Sequence, residues 1–209
     1  MGYDEDLDYE TGAEESDDTE SANGFADGEI RRFTIAALVD NEAGVLSQVT
    51  RLFSRKGYNI ETLAVGCTEN AEVSRITIEI LTDLDHVRLL CNQLRKLIPV
   101  YSVKLLEPER SIRRELVLIK VSAGDAGRRN EIIQIGNIFR ASIIDITTST
   151  ITISVIGDES KTAAVEELLR QFGILELVRT GIVAIERGVS TINEDTKVKG
   201  EFNYGKNVL

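Results

Sequence analysis

The chain has no tryptophan, two cysteines, one histidine and two prolines in 209 residues, and each scarcity removes a class of protein. Cys67 and Cys91 show no CxxC spacing, which argues against a thiolate zinc site or a disulfide framework, so two reduced, partly buried thiols are expected. A lone imidazole, His86, cannot build a multi-histidine zinc site, and it falls in a predicted helix as an exposed side chain. No metal site is expected. No stretch reaches the ~18 uninterrupted apolar residues of a membrane span, and the N-terminus has neither the basic start nor the apolar run of a signal peptide. A cytoplasmic location follows as the expectation.

Basic residues are missing altogether from residues 1–29, where twelve of the 35 acids lie; the rest of the chain carries 23 acids against 24 bases. The net charge of −11 is therefore a property of the tail, and the remainder is nearly neutral. A segment so acidic and so poor in apolar side chains cannot offset the entropy of ordering, so residues 1–29 are expected to be a disordered, solubilising tail. Contact with a basic partner is the alternative use for it. Arg31, Arg32, Arg51, Arg55 and Lys56 are interspersed with acids rather than striped, which disfavours nucleic-acid binding.

What is present is one pattern used twice. Arg32–Val39 reads as a strand, and Val45, Leu46, Val49, Leu52 and Phe53 then recur at helical spacing up to Lys56 and Gly57, a basic last turn followed by a glycine cap. Asn59–Cys67 is strand-like. In Val73–Leu81, Ile76, Ile78 and Ile80 alternate with Arg75, Thr77 and Glu79, as in a sheet with one wet face. Leu84, Val87, Leu90, Cys91, Leu94, Leu97 and Ile98 mark a second helix that Pro99 ends, and Val100–Leu106 closes the unit. Ile112-Arg113-Arg114 then echoes Ile30-Arg31-Arg32. A strand over Leu116–Val121 follows, then a helix marked by Ile132, Ile135, Ile138 and Phe139, and strands over Ser142–Thr147 and Thr150–Ile156. A helix with Val165, Leu168, Leu169 and Phe172 precedes a final strand, Leu177–Ile185.

This order predicts an α+β chain of two tandem ferredoxin-like βαββαβ domains with disordered termini, residues 30–108 and 112–188, followed by an aperiodic tail over residues 189–209. Domains this small leave one sheet face or edge uncovered, so a dimer is expected.

No nucleophile with a base, paired carboxylates or phosphate loop can be assembled, so no catalytic residue is expected. Gly124-Asp125-Ala126-Gly127-Arg128-Arg129 could hold an anion at a helix start but reads best as a plain turn. Asp40-Asn41-Glu42-Ala43-Gly44 joins a strand end, a polar cluster and a helix start whose free N–H groups suit a carboxylate. Gly44 would let a ligand approach the backbone, and Asn41 could cap the helix or offer its amide to a ligand.

That turn through Val45-Leu46, together with Leu52-Phe53-Ser54-Arg55-Lys56-Gly57-Tyr58-Asn59-Ile60-Glu61-Thr62-Leu63 and Ser74-Arg75-Ile76-Thr77-Ile78, resembles the N-terminal ACT domain of acetolactate synthase small subunits. The resemblance continues through Phe139-Arg140-Ala141, Ile144-Asp145 and Arg179-Thr180-Gly181 and covers residues 30–188. It implies a non-catalytic regulatory subunit in branched-chain amino acid biosynthesis. Such a subunit binds and activates a catalytic subunit that carries thiamine diphosphate, Mg and FAD, none of them held by this chain. It confers feedback inhibition by valine or a related amino acid bound between two ACT domains of a homodimer. Positions matching the polar contacts are Asn41, Gly44 and Asn59; Leu46 and Val65 are candidates for the apolar pocket, with a plain core role equally open for both. The alternative is a free-standing ACT-type sensor acting on another enzyme.

Overall fold

The computed structural model describes residues 29–195; the acidic segment before them and the chain beyond Asp195 lie outside the described residues. The first unit runs β1 (Arg31–Asp40), α1 (Val45–Lys56), β2 (Ile60–Cys67), β3 (Val73–Thr82), α2 (Leu84–Leu94) and β4 (Val100–Leu106). Its antiparallel strands lie in the order β2-β3-β1-β4. The second repeats it with β5 (Ser111–Ser122), α3 (Ala126–Ile138), β6 (Ser142–Ile146), β7 (Thr150–Gly157), α4 (Glu159–Arg170) and β8 (Ile174–Arg179), in the order β6-β7-β5-β8. Both are ferredoxin-like, and each has its own core between sheet and helices.

Helix α1 buries Val45, Val49, Leu52 and Phe53 and stops at Gly57, whose φ of +73° turns the chain without a Cβ clash. Two apolar stripes extend less far than their spacing suggests. Helix α2 ends at Leu94, leaving Leu97 half-buried and Ile98 77% exposed, because tight turns carry the chain from Arg95 to Val100. In α3, Ile132 is buried but Ile138 is exposed. Steps of three residues drift about 60° each around a helix, so the third member has left the core face.

The largest departure lies at the end of the second unit. The single closing strand expected over Leu177–Ile185 is two strands, β8 and β9 (Val183–Glu186), separated at Gly181 with φ +77°. Strand β9 leaves the sheet's main path and pairs with the first residues of β5, Ser111 opposite Glu186 through Arg114 opposite Val183. Ile182 and Ala184 are thereby packed against Ala36, Leu38 and Leu106 of the first sheet. The expected tail is also ordered over its first residues. Ile192 is buried in the same cluster, and its carbonyl accepts from Ser102 Oγ at 2.6 Å.

The face of the first sheet opposite its helices is therefore covered by the second unit. Thr77 and Glu79, expected on a wet face, are buried, as are Thr34 and Ser102. Glu79 accepts from Thr34 Oγ1 and Thr62 Oγ1, both at 3.1 Å, and from Arg113 of β5. Arg32 pairs with Glu159 of α4, and Lys104 Nζ with Glu186 at 2.6 Å, so among the described residues three ion pairs join the units.

Candidate ligand-binding site

The loop between β1 and α1 is anchored on both sides before any ligand is considered. Asp40 N–H donates to Pro99 O and Asn41 N–H to Glu72 O, each at 2.8 Å, and the Tyr101 hydroxyl donates to Asp40. Asn41 does not cap α1. Its Nδ2 donates to Ala71 O at 2.9 Å and lies 3.6 Å from Cys67 Sγ, while its Oδ1 accepts from Ser74 Oγ at 3.0 Å. The side chain thus ties the end of β1 to the β2–β3 hairpin, which leaves the helix start to Gly44.

Gly44 is the N-cap residue of α1, with φ +89°, and a Cβ there would meet nothing within 4 Å. Among the described residues no side chain caps this helix, and its first turn has no acid. The other three α-helices of the described residues are each capped by an aspartate: Asp83, Asp125 and Asp158 accept from the N–H groups of His86, Arg128 and Lys161, all at 2.9 Å. Their starts carry a protein carboxylate where α1 presents amides and a partial positive charge to solvent. The Gly124–Arg129 turn is in this way filled by its own Asp125. Arg129 is spent on the carbonyls of Thr148, at 2.8 Å, and Ala123.

Leu46, in the first turn of α1, is 41% exposed, and Val65 on β2 is 48% exposed, so neither is plain core. Asn59 is exposed and donates to Glu61 at 2.7 Å. It follows the C-terminal end of α1, whereas Gly44 caps the other end. Twelve helical residues at about 1.5 Å rise separate them, so one chain does not bring Asn59 to Asn41 and Gly44. Asn59 does precede β2, the edge strand of its sheet, where a second chain can approach.

Elsewhere the candidates for chemistry are quiet. His86 Nδ1 lies 2.6 Å from Asp83 on the exposed side of α2. Cys67 is exposed rather than partly buried, and Cys91 is buried, with burial pushing its thiol up to about 11. No metal-binding cluster occurs among the described residues, and no helix among them is long and apolar enough to cross a membrane. The buried Glu79–Arg113 pair went unrecognised in the sequence, because a charge alternating with isoleucines looks the same whether water or another domain covers it.

Two βαββαβ units, the first carrying an open helix start after β1, define a two-domain protein of the ACT type. Family profiles agree. One described as "AHAS small subunit-like ACT domain" matches residues 35–102, and one described as "Small subunit of acetolactate synthase" matches residues 114–188. A probable acetolactate synthase small subunit of Methanothermobacter thermautotrophicus is 45% identical over 158 residues, 76% of this chain and 94% of that protein. The small subunit of Aquifex aeolicus is 42% identical over 170 residues, 81% and 88% of the two. The crystal structure of the Thermotoga maritima acetolactate synthase small subunit superposes with a TM-score of 0.72 at 36% identity, covering 77% of this chain and all of that one. The chain belongs to the acetolactate synthase small-subunit family.

Proposed function

We propose that this chain is the regulatory subunit of an acetolactate synthase, binding the thiamine-diphosphate-dependent catalytic subunit, raising its activity and making it sensitive to valine. Thiamine diphosphate, Mg and FAD belong to the catalytic partner in this reading, and the chain itself performs no turnover. The observation that carries it is the α1 start, with no side-chain cap and no acid in its first turn, in a member of this family. Its amides receive the α-carboxylate, Gly44 lets the ligand reach the backbone, and Leu46 flanks the aliphatic side chain. Asn41 holds the loop in place through Ala71 and Ser74. Asn59 and Val65 act from the β2 edge of a second chain, so the ligand is shared by a homodimer.

Regulation then follows from linkage. A ligand held by two chains favours one dimer arrangement, and the catalytic subunit is active with the other. A coupling of ~1–3 kcal/mol suffices, and the catalytic subunit must weaken valine binding by the same factor that valine weakens its own. Valine titrated onto the isolated chain and onto the complex should show the weaker affinity in the complex. Equal affinities would sink the scheme. Asn41→Ala should abolish inhibition while activation persists; loss of both would mean that the loop, or the fold, had been damaged instead.

A further inference from the structure

Between the two units lies a cleft of about 430 Å³ that shares Val65 with the valine reading but takes in no residue of the α1 start. We propose that it binds a small aliphatic carboxylate lacking an ammonium group, through Arg75 and Arg114, at a place separate from the start of α1.

Arg75 lies on β3, opposite Gly66 on one side and Leu38 on the other. Its Nη2 donates to Ala184 O at 2.7 Å, across the boundary between the units. Its Nε is buried without an acceptor, and among the described residues Arg75 forms no ion pair. The nearest acid acting on it, Glu186, is bonded to Lys104. Glu186 offsets only part of the cost of burying this guanidinium, since burial still pushes its pKa down on balance. An anion in the cleft offsets that cost. Arg114, whose Nη1 donates to Arg113 O at 2.7 Å, is the second cation of the lining, and the Thr77 hydroxyl is a further polar group there.

The remaining walls specify the rest of the ligand. They are apolar, with Val183 and Ile185 from β9 exposed at 51% and 54%, a size and character suited to an acyl chain. Gly66 has open space where a Cβ would stand, which keeps the floor beside Arg75 clear. Among the described residues no Asp or Glu lines the cleft, so the ammonium of an amino acid would be buried there without a carboxylate. Inorganic phosphate would satisfy the arginines and leave the apolar walls wet.

The test is a titration of the full chain with hexanoate, with norleucine as the same carbon skeleton bearing an α-ammonium, and with phosphate, followed by backbone amide NMR. Hexanoate should give saturable shifts at Gly66, Thr77, Ile112 and Val183–Ile185, with norleucine and phosphate binding there about tenfold more weakly or less. Arg75→Leu should remove the hexanoate response and Arg75→Lys should keep part of it. Because Arg75 also bonds to Ala184, Gly66→Val provides the second variant. It narrows the floor while leaving Arg75 in place, and should weaken hexanoate binding with the melting temperature unchanged. Non-saturable shifts, shifts at residues 41–47 instead, equal binding of norleucine, or a hexanoate response that survives both Arg75→Leu and Gly66→Val would overturn the proposal. Shifts at residues 41–47 would speak for the α1 start instead of the cleft, and the other outcomes leave valine at α1 untouched, so the two readings fail separately.

Discussion

Arg113, on the first strand of the second unit, donates to the carboxylate of Glu79, which has no exposed surface in the sheet of the first. Thr34 and Thr62 complete the shell of the same carboxylate. Removing one partner of a buried pair leaves an uncompensated charge, so Arg113→Met should destabilise the chain by ~3–5 kcal/mol. Glu79→Gln should cost less, since the amide oxygen still accepts from Thr34 and the amide NH2 can donate to the Thr62 hydroxyl oxygen. The double replacement Glu79→Gln with Arg113→Met should cost less than the sum of the two single losses. Denaturant unfolding of the four proteins measures this, and strict additivity would show that the pair is not coupled.

Gly44 and Gly181 both hold positive φ but differ in what surrounds them. A Cβ at Gly44 meets nothing within 4 Å, whereas one at Gly181 would lie 3.3 Å from Thr62 Cβ and 3.4 Å from Leu63 N. Gly44→Ala should therefore cost only the left-handed backbone strain, ~1–2 kcal/mol. Gly181→Ala should cost more, because it also presses the second unit away from β2. Comparing the two melting curves tests this; equal losses would mean that the contact yields freely.

Ile192 anchors the chain after β9 to the first sheet. Ile192→Ala should destabilise by ~2–3 kcal/mol, near the low end for a buried isoleucine because the site is at the edge of its cluster. Val189→Ala, at a side chain 95% exposed, should change stability by less than ~0.5 kcal/mol.

The capping aspartates give a pH dependence of known sign. Backbone N–H donors at His86 and Lys161 hold Asp83 and Asp158 below the usual 3.8, with the His86 ring and the Ser160 hydroxyl adding to the effect. A carboxyl depressed in the folded state contributes stability above its unfolded pKa and loses it as pH falls through the folded one. Melting temperature should thus fall as the pH drops below about 4. Asp158→Asn keeps the cap acceptor but removes its titration, and should make that fall shallower. An unchanged slope would show that Asp158 does not contribute.

The sequence by itself determined the order of elements and the repeat, because the periods of 3.6 and 2 report which face of an element avoids water. Val45, Val49, Leu52 and Phe53 place α1 in this way, and Ile76, Ile78 and Ile80 place β3. The helix start after β1 was legible too, but not that it is open: Asn41 could have capped it, and only the fold turns that side chain to Ala71 and Ser74. What covers the second face of the first sheet was decided by tertiary structure. Arg75, Thr77 and Glu79 alternate as residues on a solvated face do, yet they meet Ala184, the interdomain cleft and Arg113. Nothing local distinguishes a charge facing water from one facing a partner more than thirty residues away. That distinction was made by Gly181, whose positive φ turns β9 out of its own sheet and brings the second unit down on the first.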